Sequence, residues 1–442
     1  MRWVRADLGT KLLTDEVAAL RCGLDEEEWV AASKARRCVT LLGLPEEQID
    51  RSRPLPFHLK IAHELYEGLF GQVKDMIEGK RLLIVPSGPL TSLPFHVLVT
   101  RKPAAALPAT FEGYRGIAWL GRQNALSVLP AVSSLKALRE HAAKGGGAPL
   151  DYIGFGNPVL TGDDSACRSS KTPQSSCPSF DVAGAKQPQQ QQMVASDGSV
   201  SATIGRGGRR SADLGGRFAK GASAENLLAQ VRALCPLPDT AYEIHCVSEH
   251  FKPEARTVRL DANATEAEIK ALSASGTLAR YRIVHFATHG LLAGDVAIMA
   301  KRQGEPALVM TPPKVPKDAD DDGLLTASEV GTLKLNADWV VRSACNTAAG
   351  DTLGAEALSG LARAFIYAQA RALLVSHWPV YSDAAVRLTT RAFAELDSNP
   401  AAGRAEALHT AMAELMDDQT QPDNAHPAVW APFVVVGEGA PQ

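Results

Sequence analysis

The chain has 442 residues, 45% hydrophobic and 21% charged, with a formal net charge of -3. That length suits two or three ordinary folding units with sizeable cores and excludes a mini-protein that needs covalent staples. A nearly balanced charge and the absence of a run approaching the roughly 20 apolar residues of a spanning helix predict neither a nucleic-acid partner nor a membrane.

Residues 1–160 read as an N-terminal α/β accessory region. "LTDEVAALRCGL" and "FHLKIAHELYEGLFGQVKDMI" repeat apolar residues at helical spacing. "RLLIVPSGPLTSLPF" is a buried strand running into a Pro/Gly turn, and "YIGFG" is a further short strand.

Residues 161–221 change character. "SSKTPQSSCPSF", "KQPQQQQM" and "GRGGRRSADLGGRF" are poor in aliphatic side chains. They cannot bury enough surface to offset ordering, and so predict a disordered low-complexity insertion. It is either a tolerated surface loop or, around Arg206, Arg209 and Arg210, a cleavage or regulatory site.

Residues 222–442 return to alternating elements. "ATEAEIKALSAS" opens on the capping pair Thr265 and Glu268. "YRIVHFATHG", "ADWVVRSACNT", "RALLVSHWPV" and "WAPFVVVGEG" are continuous apolar runs, separated by the helical stretches "GAEALSGLARAFIYAQA", "DAAVRLTTRAFAEL" and "AGRAEALHTAMAEL". Continuous rather than alternating strands between helices imply a mostly parallel sheet covered on both faces.

The seven cysteines, Cys22, Cys38, Cys167, Cys177, Cys235, Cys246 and Cys345, form an odd set with no CxxC pair. The spacing predicts neither a disulfide framework nor a zinc site, and a cytoplasmic location.

In open parallel sheets ligands bind beyond the carboxyl ends of strands. "RIVHFATHG" places His289 there, and "WVVRSAC" places Cys345 there. Were the two strands neighbours, an imidazole would stand beside a thiol, the partner a cysteine needs to become a nucleophile. Gly290 would admit a substrate carbonyl and present its N–H, which with that of Cys345 could form an oxyanion hole. Read from residues alone, a cysteine at the end of an apolar strand is more often a packing residue than a nucleophile. His285, on the same strand face as His289, is either structural or a supporting group.

These motifs, with "DGLLTASEV", "LARAFIYAQARALLVSHWPV", "HPAVWAPFVVVGEG" and "LLIVPSGPLTSLPF", resemble the CHAT family of bacterial caspase-like and separase-like clan CD cysteine peptidases. The resemblance implies a caspase-like three-layer sandwich. It also implies His289 and Cys345 as a catalytic dyad, and hydrolysis of protein or peptide substrates through a thioester acyl-enzyme. Neither a metal nor a cofactor is expected, and a regulatory protein partner is. By the same analogy Ser376 and Trp378 would flank the S1 pocket. Asp351 would either recognise a basic P1 side chain or cap the following helix. Family members often carry tetratricopeptide repeats, and none precedes the domain here. Arg342 departs from the pattern, since that position is usually aliphatic. The alternative function is a catalytically silent CHAT scaffold for interaction or signalling.

Two motifs invite other chemistry. Asp318, Asp320, Asp322, Gly323 and Glu329 have EF-hand spacing, but the three prolines of "MTPPKVPK" preclude the entering helix. The glycine-rich "GRGGRRSADLGG" lacks the preceding strand and the Lys-Ser/Thr of a phosphate loop. His96, His245 and His250 lack metal-ligand spacing and are expected to be ordinary, partly buried histidines.

Overall fold

A computed structural model describes residues 2–5, 8–44, 55–135, 147–162, 167, 177, 224–300, 304–316, 321–344 and 360–439. Most of the 161–221 segment, with Arg206, Arg209 and Arg210, lies outside the described residues, as do Asp318, Asp320, Cys345 and Asp351.

Eleven strands are described: β1 (Leu82–Ile84), β2 (Leu126–Val128), β3 (Leu150–Gly156), β4 (Arg256–Leu260), β5 (Tyr281–Ala287), β6 (Gly290–Leu291), β7 (Ala307–Val309), β8 (Leu324–Thr326), β9 (Trp339–Arg342), β10 (Ala372–Ser376) and β11 (Phe433–Gly437). Eight of them form one sheet in the order β1-β2-β11-β10-β9-β5-β3-β4. Every described pairing in it is parallel except β10 with β11. The sheet draws strands from both sides of the 161–221 segment, and β3 lies between β5 and β4.

The uninterrupted apolar runs follow from this arrangement. Side chains alternate across a strand, so a strand with cores on both faces is apolar at most consecutive positions. On β10, Ala372 and Leu374 enter one core while Leu373 and Val375 enter the other. Phe433 and Val435 on β11 likewise oppose Val434 and Val436. The first core is covered by the helices Thr10–Cys22, Leu59–Phe70, Ser382–Ser398 and Arg404–Asp417, whose apolar faces include Leu20, Leu65, Leu388 and Leu408. The second is covered by Glu266–Ala274, Ala327–Thr332 and Gly360–Tyr367, through Ile269, Val330 and Phe365. Each such side chain contributes roughly 1.5–3 kcal/mol of burial. The architecture is therefore α/β, with a mostly parallel sheet between two helical layers.

A second sheet, β6-β7-β8, is antiparallel and covers a small core built on Leu291, Val309 and Leu324. It starts at Gly290, immediately after His289.

The cysteines contradict the expectation drawn from their spacing. Six of the seven form the disulfides Cys22–Cys38, Cys167–Cys235 and Cys177–Cys246. Two of these join partners 68 and 69 residues apart, a proximity created by tertiary folding that no local spacing rule could register. Disulfides of this number are uncommon in a reducing cytosol.

Candidate active site

The site is built where β5 and β9 end. They are parallel neighbours, with His285 opposite Val341 and Phe286 opposite Arg342. That register is an offset of 56 residues, which is also the separation of His289 and Cys345 in the sequence.

Residues 288 and 289 carry the chain from the large sheet into the small one. The Thr288 hydroxyl donates to the Val309 carbonyl, and the Val309 N–H donates to the His289 carbonyl at 3.0 Å. Gly290 is paired opposite Leu308. With residues 289 and 309 in the hydrogen-bonded position of an antiparallel ladder, 290 and 308 occupy the other kind of position, so the Gly290 N–H is directed away from β7. His289 itself is fully buried, and its Nε2 lies 2.7 Å from the carbonyl oxygen of Cys235. A carbonyl only accepts, which assigns the Nε2–H tautomer to the neutral ring.

The end of β9 is held from both neighbours. The Ser343 N–H donates to the Phe286 carbonyl at 3.1 Å, and the Ser376 hydroxyl donates to the Ala344 carbonyl at 2.6 Å. Ser376 thus ties β10 to the residue that precedes Cys345. Trp378 is fully buried and donates from Nε1 to the Ala428 carbonyl at 2.9 Å, which makes it part of the core over the first face.

Below this edge lies a polar network that sequence reasoning found only in part. The Tyr152 hydroxyl on β3 lies 2.9 Å from His285 Nδ1, and His285 Nε2 lies 3.1 Å from Glu243 Oε1 and 3.3 Å from Ser343 Oγ. Burial pushes the Tyr152 hydroxyl well above the ordinary tyrosine range, with the Glu243 charge adding to it. The protonated phenol donates to Nδ1, and Nε2–H then donates to Glu243. His285 is accordingly a supporting group that joins β3, β9 and the helix Pro238–Ser248 beneath the edge. Glu243 gave no sequence signal, since it stands in an ordinary helical stretch.

Arg342 is fully buried on the face opposite Ser343, with its guanidinium 5.2 Å from the centroid of the Phe365 ring. Burial lowers its pKa to about 9. Charge on an aromatic face recovers part of the desolvation cost.

The other sequence motifs have structural roles. Asp322 accepts from the Leu324 N–H at 2.9 Å, while the Gly323 N–H donates to Glu266 at 3.1 Å. Glu329 closes a capping box with Thr326 and pairs with Lys270. Of the three histidines expected to lack metal-ligand geometry, His245 departs from that expectation: it lies with Cys177 and Glu249 so that their ligand atoms are within 4.8 Å of one another. The Cys177 sulfur is bonded to Cys246, so it offers no thiolate. His250 faces Asp397, and His96 is buried. A cavity of about 450 Å³ opens at the opposite edge of the sheet, near Asp151, Arg282 and Asp338, away from His289. Among the described residues no helix is long and apolar enough to cross a membrane.

The family model described as the CHAT domain matches residues 59–438. No curated protein matches the chain. Among solved structures, the Arg-specific cysteine proteinase gingipain R aligns at 14% identity and a TM-score of 0.28, covering 52% of this chain and 45% of its own. The complex of Porphyromonas gingivalis RgpB pro- and mature domains aligns at 10% identity and a TM-score of 0.37, covering 99% of this chain and 78% of its own. The chain therefore spans less than half the length of gingipain R.

Proposed function

The chain belongs to the CHAT domain family, and we propose that it is a cysteine endopeptidase in which Cys345 is the nucleophile and His289 the acid–base group. The observation that carries this reading is the shared offset of 56 residues between the β5–β9 register and the His289–Cys345 pair. Two further observations support it. The Gly290 N–H is directed away from β7. Disulfides take up the other six cysteines, which leaves Cys345 no cysteine of this chain to join.

In this mechanism the Cys345 proton passes to His289 Nδ1, and the thiolate attacks the carbonyl carbon of the scissile peptide bond. The oxyanion accepts from the N–H groups of Gly290 and Cys345. It collapses as the C–N bond breaks and His289 returns the proton to the leaving amine, which leaves a thioester. Water then adds to that thioester with His289 as base, the C–S bond breaks, and carboxylate and thiol are released. His289 is oriented by the Cys235 carbonyl, Ser376 steadies the Ala344 peptide, and Asp351 would meet a basic P1 residue. Control by a protein partner is part of the proposal, as is cutting near Arg210. The three disulfides favour a compartment in which cysteines remain oxidised over the cytoplasm expected from spacing.

The test is a peptide-library cleavage profile with the purified protein. Cys345→Ala and His289→Ala should each lower turnover by at least about 100-fold while the melting temperature holds. Cleavage that survives Cys345→Ala sinks the proposal.

A silent CHAT scaffold is the second reading, and the buried Arg342 on the strand leading to Cys345 is what favours it. Mapping of iodoacetamide labelling on the native, unreduced protein separates the two. Rapid modification of Cys345 at neutral pH favours the peptidase, and slow modification typical of an unactivated thiol favours the scaffold.

A further inference from the structure

The hydrogen bond that orients His289 ends on a residue that is itself covalently tethered. Cys235 follows the helix Ala224–Arg232, and Pro236 comes next, restricting Cys235 to extended backbone. Several attachments place this segment, among them the following. The Thr161 N–H donates to the Arg232 carbonyl at 2.6 Å, and the Gly162 N–H donates to the Leu234 carbonyl at 3.0 Å. The Arg232 guanidinium donates to the Pro313 carbonyl, and the Cys235 sulfur is bonded to Cys167.

We propose that the Cys167–Cys235 disulfide is a reducible clamp that positions His289 through the Cys235 carbonyl, so that its redox state sets the activity of the site. The inference rests on His289 acting as the acid–base group. Cys235 is a positioning residue here, because it touches the imidazole and not the substrate.

The disulfides differ in access. Cys22 and Cys38 are 2% and 1% exposed, which seals their bond inside a small apolar cluster. Cys167 is buried and Cys235 is only partly so, which makes this bond less enclosed than Cys22–Cys38. A thiolate of a dithiol reductant attacks the Cys235 sulfur and the Cys167 sulfur leaves as thiolate. The second thiol of the reductant then displaces Cys235 and closes its own disulfide. Two electrons and two protons end on the Cys167 and Cys235 thiols, and the dithiol is oxidised. The Cys235 carbonyl loses its covalent anchor and is held only through the hydrogen bonds of the preceding residues, so the acceptor for Nε2–H is less firmly fixed. A neutral histidine with a less firmly fixed acceptor exchanges between tautomers and orientations, which lowers the fraction poised for proton transfer.

The experiment compares the wild-type protein before and after a dithiol reductant with Cys167→Ser/Cys235→Ser, which keeps the carbonyl and removes the tether. Reduction is expected to lower kcat roughly tenfold or more, to shift the pH limb set by His289, and to leave KM unchanged. The double variant should show the lowered kcat with or without reductant. A double variant with wild-type kcat and pH profile overturns the proposal. The imidazole ¹⁵N signals of His289, assigned by their loss in His289→Gln, supply a readout that needs no turnover. Oxidised protein should show the Nε2–H tautomer and reduced protein an average of both, and signals unchanged by reduction also overturn the clamp. If no preparation turns over while the tautomer responds to reduction, the clamp stands and the peptidase reading fails. Cys177→Ser/Cys246→Ser, expected to respond to reductant as wild type does, shows that the effect belongs to the Cys167–Cys235 bond.

Discussion

His285 on β5 and Glu243 on the helix Pro238–Ser248 meet at 3.1 Å with both side chains sealed from water. Glu243→Ala would leave the buried Nε2–H donor of the ring without this acceptor, and is expected to cost about 1–3 kcal/mol of stability. Glu243→Gln keeps an oxygen acceptor and should cost distinctly less. Urea denaturation of both variants checks this, and equal losses would show that the contact is not the source of the effect.

Acid should weaken the fold through buried histidines. Burial lowers the pKa of His96 and His377 to about 3 and of His426 to about 4, with Arg21 and His96 adding to the effect on His377 and His409 to that on His96. His426 uses both ring nitrogens in its neutral form, donating to the Leu55 carbonyl at 2.9 Å and accepting from the Ala428 N–H at 3.2 Å. Their folded-state values lie below the unfolded value of about 6.5. Their contribution is therefore complete above pH 6.5 and is lost as pH falls from there toward 3–4, by up to about 1.4 kcal/mol per unit for each histidine. Urea midpoints at pH 7.5 and 5.5 should differ, and His426→Asn should flatten the difference. Identical midpoints for the wild-type protein would contradict it.

The Cys167–Cys235 and Cys177–Cys246 bonds both bridge the segment 178–223. A cut after Arg206, Arg209 or Arg210 should leave two polypeptides joined by two disulfides. Limited trypsin treatment is expected to give one band of unchanged size on a non-reducing gel and two bands on a reducing gel. Separation without reductant would show that these cysteines are not paired as described.

The EF-hand-like segment is committed to folding. Thr326 and Glu329 cap the helix Ala327–Thr332, so Thr326→Ala should cost about 1 kcal/mol. Millimolar calcium should leave the melting temperature unchanged, because Glu329 is engaged by that cap and by Lys270. A calcium-dependent rise would overturn this assignment.

Much of the fold was legible because strands such as Ala372–Ser376 and Phe433–Gly437 carry consecutive apolar residues, Ala372–Val375 and Phe433–Val436, a pattern that needs only local reading. β4 was missed because "RTVRL" is half-exposed at the sheet edge and reads as a polar stretch. β6, β7 and β8 were missed because strands of two or three residues carry no measurable period. His289 and Cys345 were singled out by strand position alone, whereas the groups that contact His285 and His289 were not. Glu243, Tyr152 and the Cys235 carbonyl reach the site from segments that nothing in their local pattern connects to it.

By itself, the sequence determined that His289 and Cys345 stand just past apolar strands, since hydrophobic continuity and chain direction are local properties. Only the tertiary structure decided that β9 lies beside β5, that Tyr152 reaches His285 across 133 residues, and that Cys235 is bonded to Cys167 while its carbonyl holds His289. Those relationships join positions far apart in the chain. They are selected by the burial of whole strands and helices against one another, and no short-range pattern records which partners result.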